Sequence, residues 1–119
     1  MPHMLILESY LPTGQAFEVI LKREGWDVTL SLTAQETLEA LQHHSYDALL
    51  VDLDMAAGDG WRLLQTLHLT HHAAPIIAML GQESDQQQRA HALGARIVLP
   101  KPVGRKRLLT SAIAALDKA

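Results

Sequence analysis

The sequence predicts an α/β domain in which a parallel β-sheet is covered by helices on both faces. Short apolar runs that contain β-branched residues alternate along the chain with longer stretches of helical periodicity. Strict alternation of this kind is typical of a parallel sheet with helices packed on both sides. One run, ALLV at residues 48–51, is apolar throughout. A strand of that composition is expected at the centre of the sheet, because both of its faces are buried.

Five apolar runs are predicted to form the strands. They are Met4–Leu7, Val28–Leu32, Ala48–Val51, Ile76–Leu80 and Ile97–Leu99. The segment DVTLSL, residues 27–32, alternates polar and apolar side chains, which is typical of an edge strand. An edge second strand and a central third strand favour the strand order 2-1-3-4-5. The predicted fold is therefore a flavodoxin-like, doubly wound (βα)5 sandwich.

Helical spacing, with residues of one face three and four positions apart, appears in four stretches that follow strands. The positions are Ala16, Val19, Ile20 and Arg23, then Leu38, Leu41 and Gln42, then Leu63, Leu64 and Leu67, and finally Leu108, Leu109, Ala112, Ile113 and Leu116. The alternation of elements predicts a fifth helix before the last strand. Gly25 and Gly94 fall where helices should end before the second and fifth strands, as expected of C-cap residues.

Length, charge and cysteine content narrow the class of protein. The chain has 119 residues, no cysteine and a net charge of −3. This length suits one domain over residues 1–119, and residues 1–3 are given no weight because they could be disordered or left over from cloning. Disulfides and thiolate metal sites are excluded, and the negative charge argues against nucleic-acid binding. No apolar run approaches the roughly 18 residues of a membrane span, and the start lacks signal-peptide features, so a cytoplasmic location is expected.

Charged residues end three of the predicted strands. Strand one is followed by Glu8 and Ser9, strand three by Asp52, and strand five by Lys101. In a sheet of this order, sites form at the carboxyl ends of the strands, near the change in strand order. Two carboxylates at such a place repel each other unless a cation lies between them. Lys101 can supply one positive charge, and Mg²⁺, which binds carboxylates, water and phosphate oxygens, can supply more.

Two segments resemble the receiver domain of two-component response regulators. They are DALLVDLDMAAGDGWRLL, residues 47–64, and GARIVLPKPV, residues 94–103, and the resemblance covers nearly the whole chain. It implies a signalling module rather than an enzyme, in which Asp52 accepts a phosphoryl group from a phosphohistidine of a sensor histidine kinase. Lys101 and a metal would then neutralise charge on the transferred oxygens. The resemblance also implies a cis peptide bond between Lys101 and Pro102, a bond type found almost only before proline.

The chain departs from the family pattern around this centre. Ser9 replaces the second of two adjacent acids, so weak Mg²⁺ binding by Glu8 and Asp52 is expected, with Asp54 as a partial substitute. Leu80 replaces a Thr or Ser whose hydroxyl would contact the phosphoryl group, and Leu cannot donate a hydrogen bond. Val98 replaces an aromatic residue that takes part in the family's switch. The expected module is an atypical receiver with a weakened or altered phosphorylation switch.

Two alternative functions stay open at this stage. The first is a pseudo-receiver that binds protein partners without being phosphorylated. The second, more remote, is a phosphatase that uses Asp52 and Asp54 as a D-x-D nucleophile motif. The expected partners are a sensor histidine kinase or another signalling protein, an output domain after residue 119, and a second copy bound through the last α/β segments. Direct nucleic-acid binding and membrane contact are not expected.

Three histidines near the end of the third predicted helix suggest a separate possibility. His68, His71 and His72 have i, i+3, i+4 spacing. On a continuous helix they would share one face and could bind Zn²⁺ or Ni²⁺. The favoured interpretation is that they face solvent near a helix C-terminus, where partial positive charge is favourable.

Overall fold

The computed structural model describes residues 1–117 as five parallel strands that alternate with five helices. The elements are β1 (His3–Leu7), α1 (Leu11–Arg23), β2 (Asp27–Ser31), α2 (Ala34–His43), β3 (Ala48–Asp52), α3 (Asp59–Leu69), β4 (Ile76–Gly81), α4 (Gln87–Ala92), β5 (Ala95–Lys101) and α5 (Arg105–Leu116). The strands lie in the order β2-β1-β3-β4-β5. The predicted doubly wound, flavodoxin-like fold and its strand order are confirmed.

The order of the sheet matches the composition of its strands. All five residues of β3 are buried, and β3 pairs with β1 on one side and with β4 on the other. β2 pairs with β1 at one end of the sheet, and most of its residues are only partly covered. The central and edge positions predicted for β3 and β2 are confirmed, since burial on both faces requires a strand that is apolar throughout.

The first strand includes residues near the start of the chain. β1 begins at His3, one residue before the predicted apolar run. The backbone N–H of His3 donates to the Asp47 carboxylate at 2.8 Å, and the His3 ring Nε2 lies 2.8 Å from the Thr29 hydroxyl. These contacts join the start of β1 to β2 and to the segment before β3.

The last strand is longer than its apolar centre. β5 runs from Ala95 to Lys101, whereas hydropathy predicted Ile97–Leu99. Pairing with β4 continues until Gly81 lies opposite Lys101. Backbone hydrogen bonds, which do not depend on side-chain polarity, therefore set the end of this strand. They hold Lys101 in register at the carboxyl edge of the sheet.

Two apolar layers enclose the sheet. One lies beneath α2, α3 and α4 and includes Leu7, Val51 and Leu80. The other lies beneath α1 and α5 and includes Ile6 and Leu50. Neighbouring residues of a strand enter opposite layers, as the two-residue period of a β-strand requires. Each buried Leu or Ile side chain contributes about 1.5–3 kcal/mol, so the two layers fix the strand ends that carry the polar residues.

Two glycines end helices where the sequence predicts helix ends. Gly25 follows α1 with a φ of +90°, and Gly94 follows α4 with a φ of +106°. These left-handed conformations are the ones for which C-cap positions favour glycine. The longest described helix, α1, has 13 residues, and none of the helices within residues 1–117 is long and apolar enough to cross a membrane.

The hypothesis that three histidines share one face of a continuous helix is wrong. α3 ends at Leu69, and His71 has a left-handed φ of +53°, so His71 and His72 lie in a turn beyond the helix. His68, His71 and His72 are all exposed, in agreement with the solvent-facing interpretation. In the described part of the chain, no group of three or more His, Asp or Glu side chains is placed to hold a metal ion.

Candidate functional site

Asp52 is the last residue of β3, and its side chain is 6% exposed. The backbone N–H of Asp54 donates to Oδ1 of Asp52 at 2.9 Å, which helps to turn the chain out of the sheet. The loop then closes through the N–H of Gly58, which donates to the Met55 carbonyl at 2.9 Å. The Asp52 carboxylate is thus fixed at the carboxyl edge of the sheet by the backbone that follows it.

Gly60 lets α3 begin directly against the backbone of Asp52. A Cβ atom on Gly60 would overlap the carbonyl oxygen of Asp52. The preceding residue, Asp59, accepts a hydrogen bond from the Ala34 N–H at 2.8 Å and forms an ion pair with Arg62. Asp59 therefore ties the N-terminus of α2 to that of α3, where a carboxylate is favourable. The Asp-Gly pair after the loop has a packing and capping role that its sequence position alone did not reveal.

Lys101 reaches from the end of β5 to the carboxylate of Asp52. Its Nζ lies 2.5 Å from Oδ1 of Asp52 and 3.3 Å from Oδ2 of Asp54. The peptide bond between Lys101 and Pro102 is cis, as the resemblance implied. Burial lowers the pKa of Lys101, but the hydrogen bond and the charge of Asp52 outweigh burial, and the net effect raises the pKa. Lys101 is therefore positively charged throughout the physiological pH range.

Glu8 follows β1 and is 4% exposed. Its Oε2 accepts a hydrogen bond from the Tyr10 N–H at 3.1 Å, and its carboxyl group lines the same cleft as that of Asp52. Burial is the largest cause that raises the pKa of Glu8, and the charge of Asp52 raises it further, while the Tyr10 N–H opposes both. The net effect raises the pKa of Glu8, so Glu8 retains its proton more strongly than an isolated glutamate does.

These side chains line one open cleft of about 820 Å³ at the carboxyl edge of the sheet. Its lining consists of Glu8, Ser9, Tyr10, Pro12, Thr13, Ala16, Phe17, Asp52, Asp54, Met55, Ala56, Met79, Lys101, Pro102 and Val103. The cleft brings together the residues that the sequence placed at the ends of β1, β3 and β5. Three carboxyl groups and one ammonium group share a partly apolar basin, where charge interactions are stronger than in bulk water.

The cleft supplies only some of the ligands that a divalent cation needs. Glu8 and Asp52 supply two carboxyl groups on adjacent strands, and Mg²⁺ usually takes one or two carboxylates together with waters and phosphate oxygens. Ser9 is exposed in the cleft and offers a neutral oxygen in place of an acid. The Asp54 carboxylate is paired with Lys101, and in the described chain no three acidic or histidine side chains converge on a metal position.

Apolar side chains occupy the two positions expected to differ from the family pattern. Leu80 is 2% exposed in β4, next to Gly81 at the end of the strand. Val98 is half-buried in β5 and packs against the apolar cluster that contains Leu80. Neither residue offers a hydroxyl group or an aromatic ring to the cleft, as the sequence indicates.

Trp61 connects the start of α3 to α4. The Arg89 guanidinium lies 4.2 Å from the centre of the Trp61 ring, within the range of a cation–π contact. Trp61 directly follows Gly60 and packs against the apolar layer beneath α2, α3 and α4. The contact between Trp61 and Arg89 leaves no periodic signal in the sequence, because the two residues lie 28 positions apart.

Comparison with known families identifies the domain. The family described as "Response regulator receiver domain" matches residues 5–113. The chain belongs to the response regulator receiver family. Receiver domains are signalling modules, and the match does not favour the phosphatase alternative. The resemblance noted in the segments around Asp52 and Lys101 is confirmed at the level of the family.

Curated relatives of this receiver include regulators of the cell cycle. "Cell cycle transcriptional regulator CtrA" of Caulobacter vibrioides is 30% identical over 100 residues, which cover 83% of this chain and 43% of the relative. "Cell cycle response regulator CtrA" of Brucella ovis is 26% identical over 107 residues, covering 89% of this chain and 46% of the relative. The receiver therefore spans less than half the length of these two proteins.

Solved structures share the fold of this receiver. The receiver domain of Francisella response regulator 1452 superposes with a TM-score of 0.90 at 21% identity and covers 98% of this chain and 97% of that one. The receiver domain of NtrX from Brucella abortus superposes with a TM-score of 0.90 at 22% identity and covers 98% and 99% respectively. At these identities the likeness establishes the fold.

Proposed function

We propose that this receiver accepts a phosphoryl group on Asp52 and that its conformational response differs from that of receivers with a hydroxyl and an aromatic switch residue. The observation that carries the proposal is the Lys101 ammonium, 2.5 Å from Oδ1 of Asp52, in an open cleft. Enzymatic phosphoryl transfer depends mainly on positioning and on neutralisation of charge. A fixed carboxylate beside a fixed cation supplies both.

Oδ2 of Asp52 is the attacking atom in the proposed transfer. Oδ1 already accepts hydrogen bonds from the Asp54 N–H and from Lys101. Oδ2 attacks the phosphorus of a phosphohistidine on the partner kinase, in line with the ring nitrogen that leaves. The P–O bond forms while the P–N bond breaks, and its electron pair returns to the imidazole. Lys101 neutralises part of the charge on the transferred oxygens.

Glu8 and Asp52 are the residues that would hold Mg²⁺ in this proposal. When bound, the ion would neutralise further charge on the phosphoryl oxygens. Because the pKa of Glu8 is raised, any proton on Glu8 must leave before both carboxylates can bind a cation. Since Ser9 adds no charge, weak binding of Mg²⁺ is expected.

The altered response follows from Leu80 and Val98. Leu80 cannot hydrogen-bond a phosphoryl oxygen, so its side chain forms no hydrogen bond with a modified Asp52. Val98 has no ring that could exchange a buried position for an exposed one. A conformational shift needs a contact that differs between two states, and these two residues supply none. Structural change on phosphorylation is therefore expected to stay close to Asp52 and Lys101.

The proposed partners are a sensor histidine kinase as phosphoryl donor and an output domain C-terminal to residue 119. The greater length of the CtrA relatives supports the second. A homodimer through the last α/β segments is proposed as well, because apolar side chains that include Ile97 and Ala114 line a groove of about 540 Å³ between β5 and α5. The cytoplasm is the proposed setting.

Labelling with acetyl phosphate in the presence of Mg²⁺ tests the proposal. Intact mass should show one added phosphoryl group on the wild-type protein and none on Asp52→Asn. Asp27→Asn, which removes an exposed carboxylate at the start of β2, is the matched control and should be labelled like wild type. Absence of label under conditions that modify a typical receiver would instead favour the pseudo-receiver function.

A further inference from the structure

Two carboxylates share the ammonium group of Lys101. Its Nζ lies 2.5 Å from Oδ1 of Asp52 and 3.3 Å from Oδ2 of Asp54. The Asp52 side chain is 6% exposed, whereas those of Lys101 and Asp54 are 31% and 38% exposed. The lysine thus bridges a buried carboxylate at the floor of the cleft and a half-exposed one at its rim.

The Asp54 carboxylate lies on the lysine side of Asp52. Its Oδ2 faces the end of β4, where a Cβ atom on Gly81 would lie 3.6 Å from it. β4 and β5 lie to one side of β3, and β1, which leads into Glu8, lies to the other. A cation held between Glu8 and Asp52 would therefore lie on the opposite side of Asp52 from the Asp54 carboxylate.

We propose that Asp54 is a positioning residue that holds Lys101 as the resident cation of the site and competes with the incoming phosphoryl group for it. This inference rests on the proposed function, since it concerns the same transfer to Asp52. An ammonium group has three N–H donors. One of them donates to Asp52, and the Asp54 carboxylate forms an ion pair with the same ammonium group. Removal of the Asp54 charge leaves Lys101 more strongly attracted to phosphoryl oxygens.

Asp54→Asn isolates this effect. The substitution keeps the shape of the side chain and the backbone N–H that donates to Oδ1 of Asp52, and it removes one negative charge. A partly exposed ion pair of this kind should change the rate of labelling by acetyl phosphate by about two- to fivefold. The expected result is faster labelling of Asp54→Asn, with the Asp27→Asn control equal to wild type.

The affinity for Mg²⁺ shows whether Asp54 acts as a partner of Lys101 or as a metal ligand. A Mg²⁺ titration followed by backbone amide shifts should give the same dissociation constant for Asp54→Asn and wild type. Weaker Mg²⁺ binding together with slower labelling would overturn the inference, because it would make Asp54 a metal ligand. If both proteins are labelled, and at equal rates and with equal affinities for Mg²⁺, the inference is overturned too, since Asp54 would then not restrain Lys101.

The binding of inorganic phosphate tests the role of Asp54 without any transfer to Asp52. Phosphate binding, followed by amide shifts near Lys101, should tighten by about two- to fivefold in Asp54→Asn and stay unchanged in Asp27→Asn. If neither wild type nor Asp54→Asn is labelled but phosphate binds Asp54→Asn more tightly, the proposed function fails and the role of Asp54 stands. Unchanged phosphate binding would contradict that role.

Discussion

At the scale of single residues, three carboxyl groups and one ammonium group determine the electrostatics of the cleft. Lys101 is satisfied by Asp52 and Asp54, whereas Glu8 is buried beside Asp52 with the Tyr10 N–H as its backbone donor. Burial disfavours the charged form of a carboxyl group. Ionised Glu8 is therefore an unfavourable element of the folded state that a divalent cation could relieve.

Glu8→Gln should stabilise the protein at neutral pH. The folded state raises the pKa of Glu8, so protonated Glu8 stabilises the fold fully below the ordinary glutamate pKa, and that stabilisation is lost as pH rises through the higher folded value. The neutral amide avoids this loss of stability. The free energy of unfolding changes by about 1 kcal/mol for each unit by which a pKa is shifted, and a change of that size corresponds to about 3–5 °C in Tm. Thermal unfolding should show the gain at pH 7 and a smaller gain near pH 4.

The control for Glu8→Gln is Glu83→Gln, which neutralises an exposed carboxylate. It should leave Tm nearly unchanged at both pH values. A Glu8→Gln protein that melts below wild type at pH 7 would contradict the account, because ionised Glu8 would then be stabilising.

At the scale of elements, the start of α3 is pressed against the end of β3. Gly60 has no room for a side chain next to the Asp52 carbonyl, and Asp59 ties the starts of α2 and α3 together. Trp61, the next residue, lies beneath Arg89 of α4. The segment that follows Asp52 therefore takes part in the contacts that hold α2, α3 and α4 in place.

Gly60→Ala should destabilise the fold by about 3 kcal/mol or more, because the new methyl group overlaps backbone that cannot move without displacing α3 from β3. Gly104→Ala is the matched control: a Cβ there meets no atom within 4 Å, and its cost at the start of α5 should stay below about 1 kcal/mol. Urea denaturation measures both. Equal midpoints for the two variants would refute the close approach at Gly60.

Sequence patterns predicted the elements that hydropathy or family motifs mark clearly. The uniformly apolar β3 and the alternating β2 were assigned correctly, and the place of Lys101 followed from its motif. The end of α3 was not foreseen, because His71 adopts a left-handed turn that usually requires glycine or asparagine. The direction of the Asp54 carboxylate was not predictable either, since it depends on the spatial neighbours Lys101 and Gly81.

At the scale of the whole molecule, the histidines lie at the edge of the sheet opposite the cleft. They occupy strand starts, helix ends and the turns that follow helices, at His3, His43, His44, His68, His71, His72 and His91. In a parallel βα fold these positions share the amino edge, whereas Asp52 and Lys101 lie at the carboxyl edge. The histidines therefore lie at the edge of the sheet farthest from Asp52 and Lys101.

The central claim is that Asp52 carries the phosphoryl group, and localisation of the label tests it most directly. After treatment with acetyl phosphate and Mg²⁺, borohydride reduces an acyl phosphate on aspartate to homoserine, which peptide mass spectrometry can place in the sequence. The account predicts homoserine at position 52 in wild type and unmodified sequence throughout Asp52→Asn. Reduction at another carboxylate, such as Asp54 or Glu8, or no reduction in labelled wild-type protein, would contradict it.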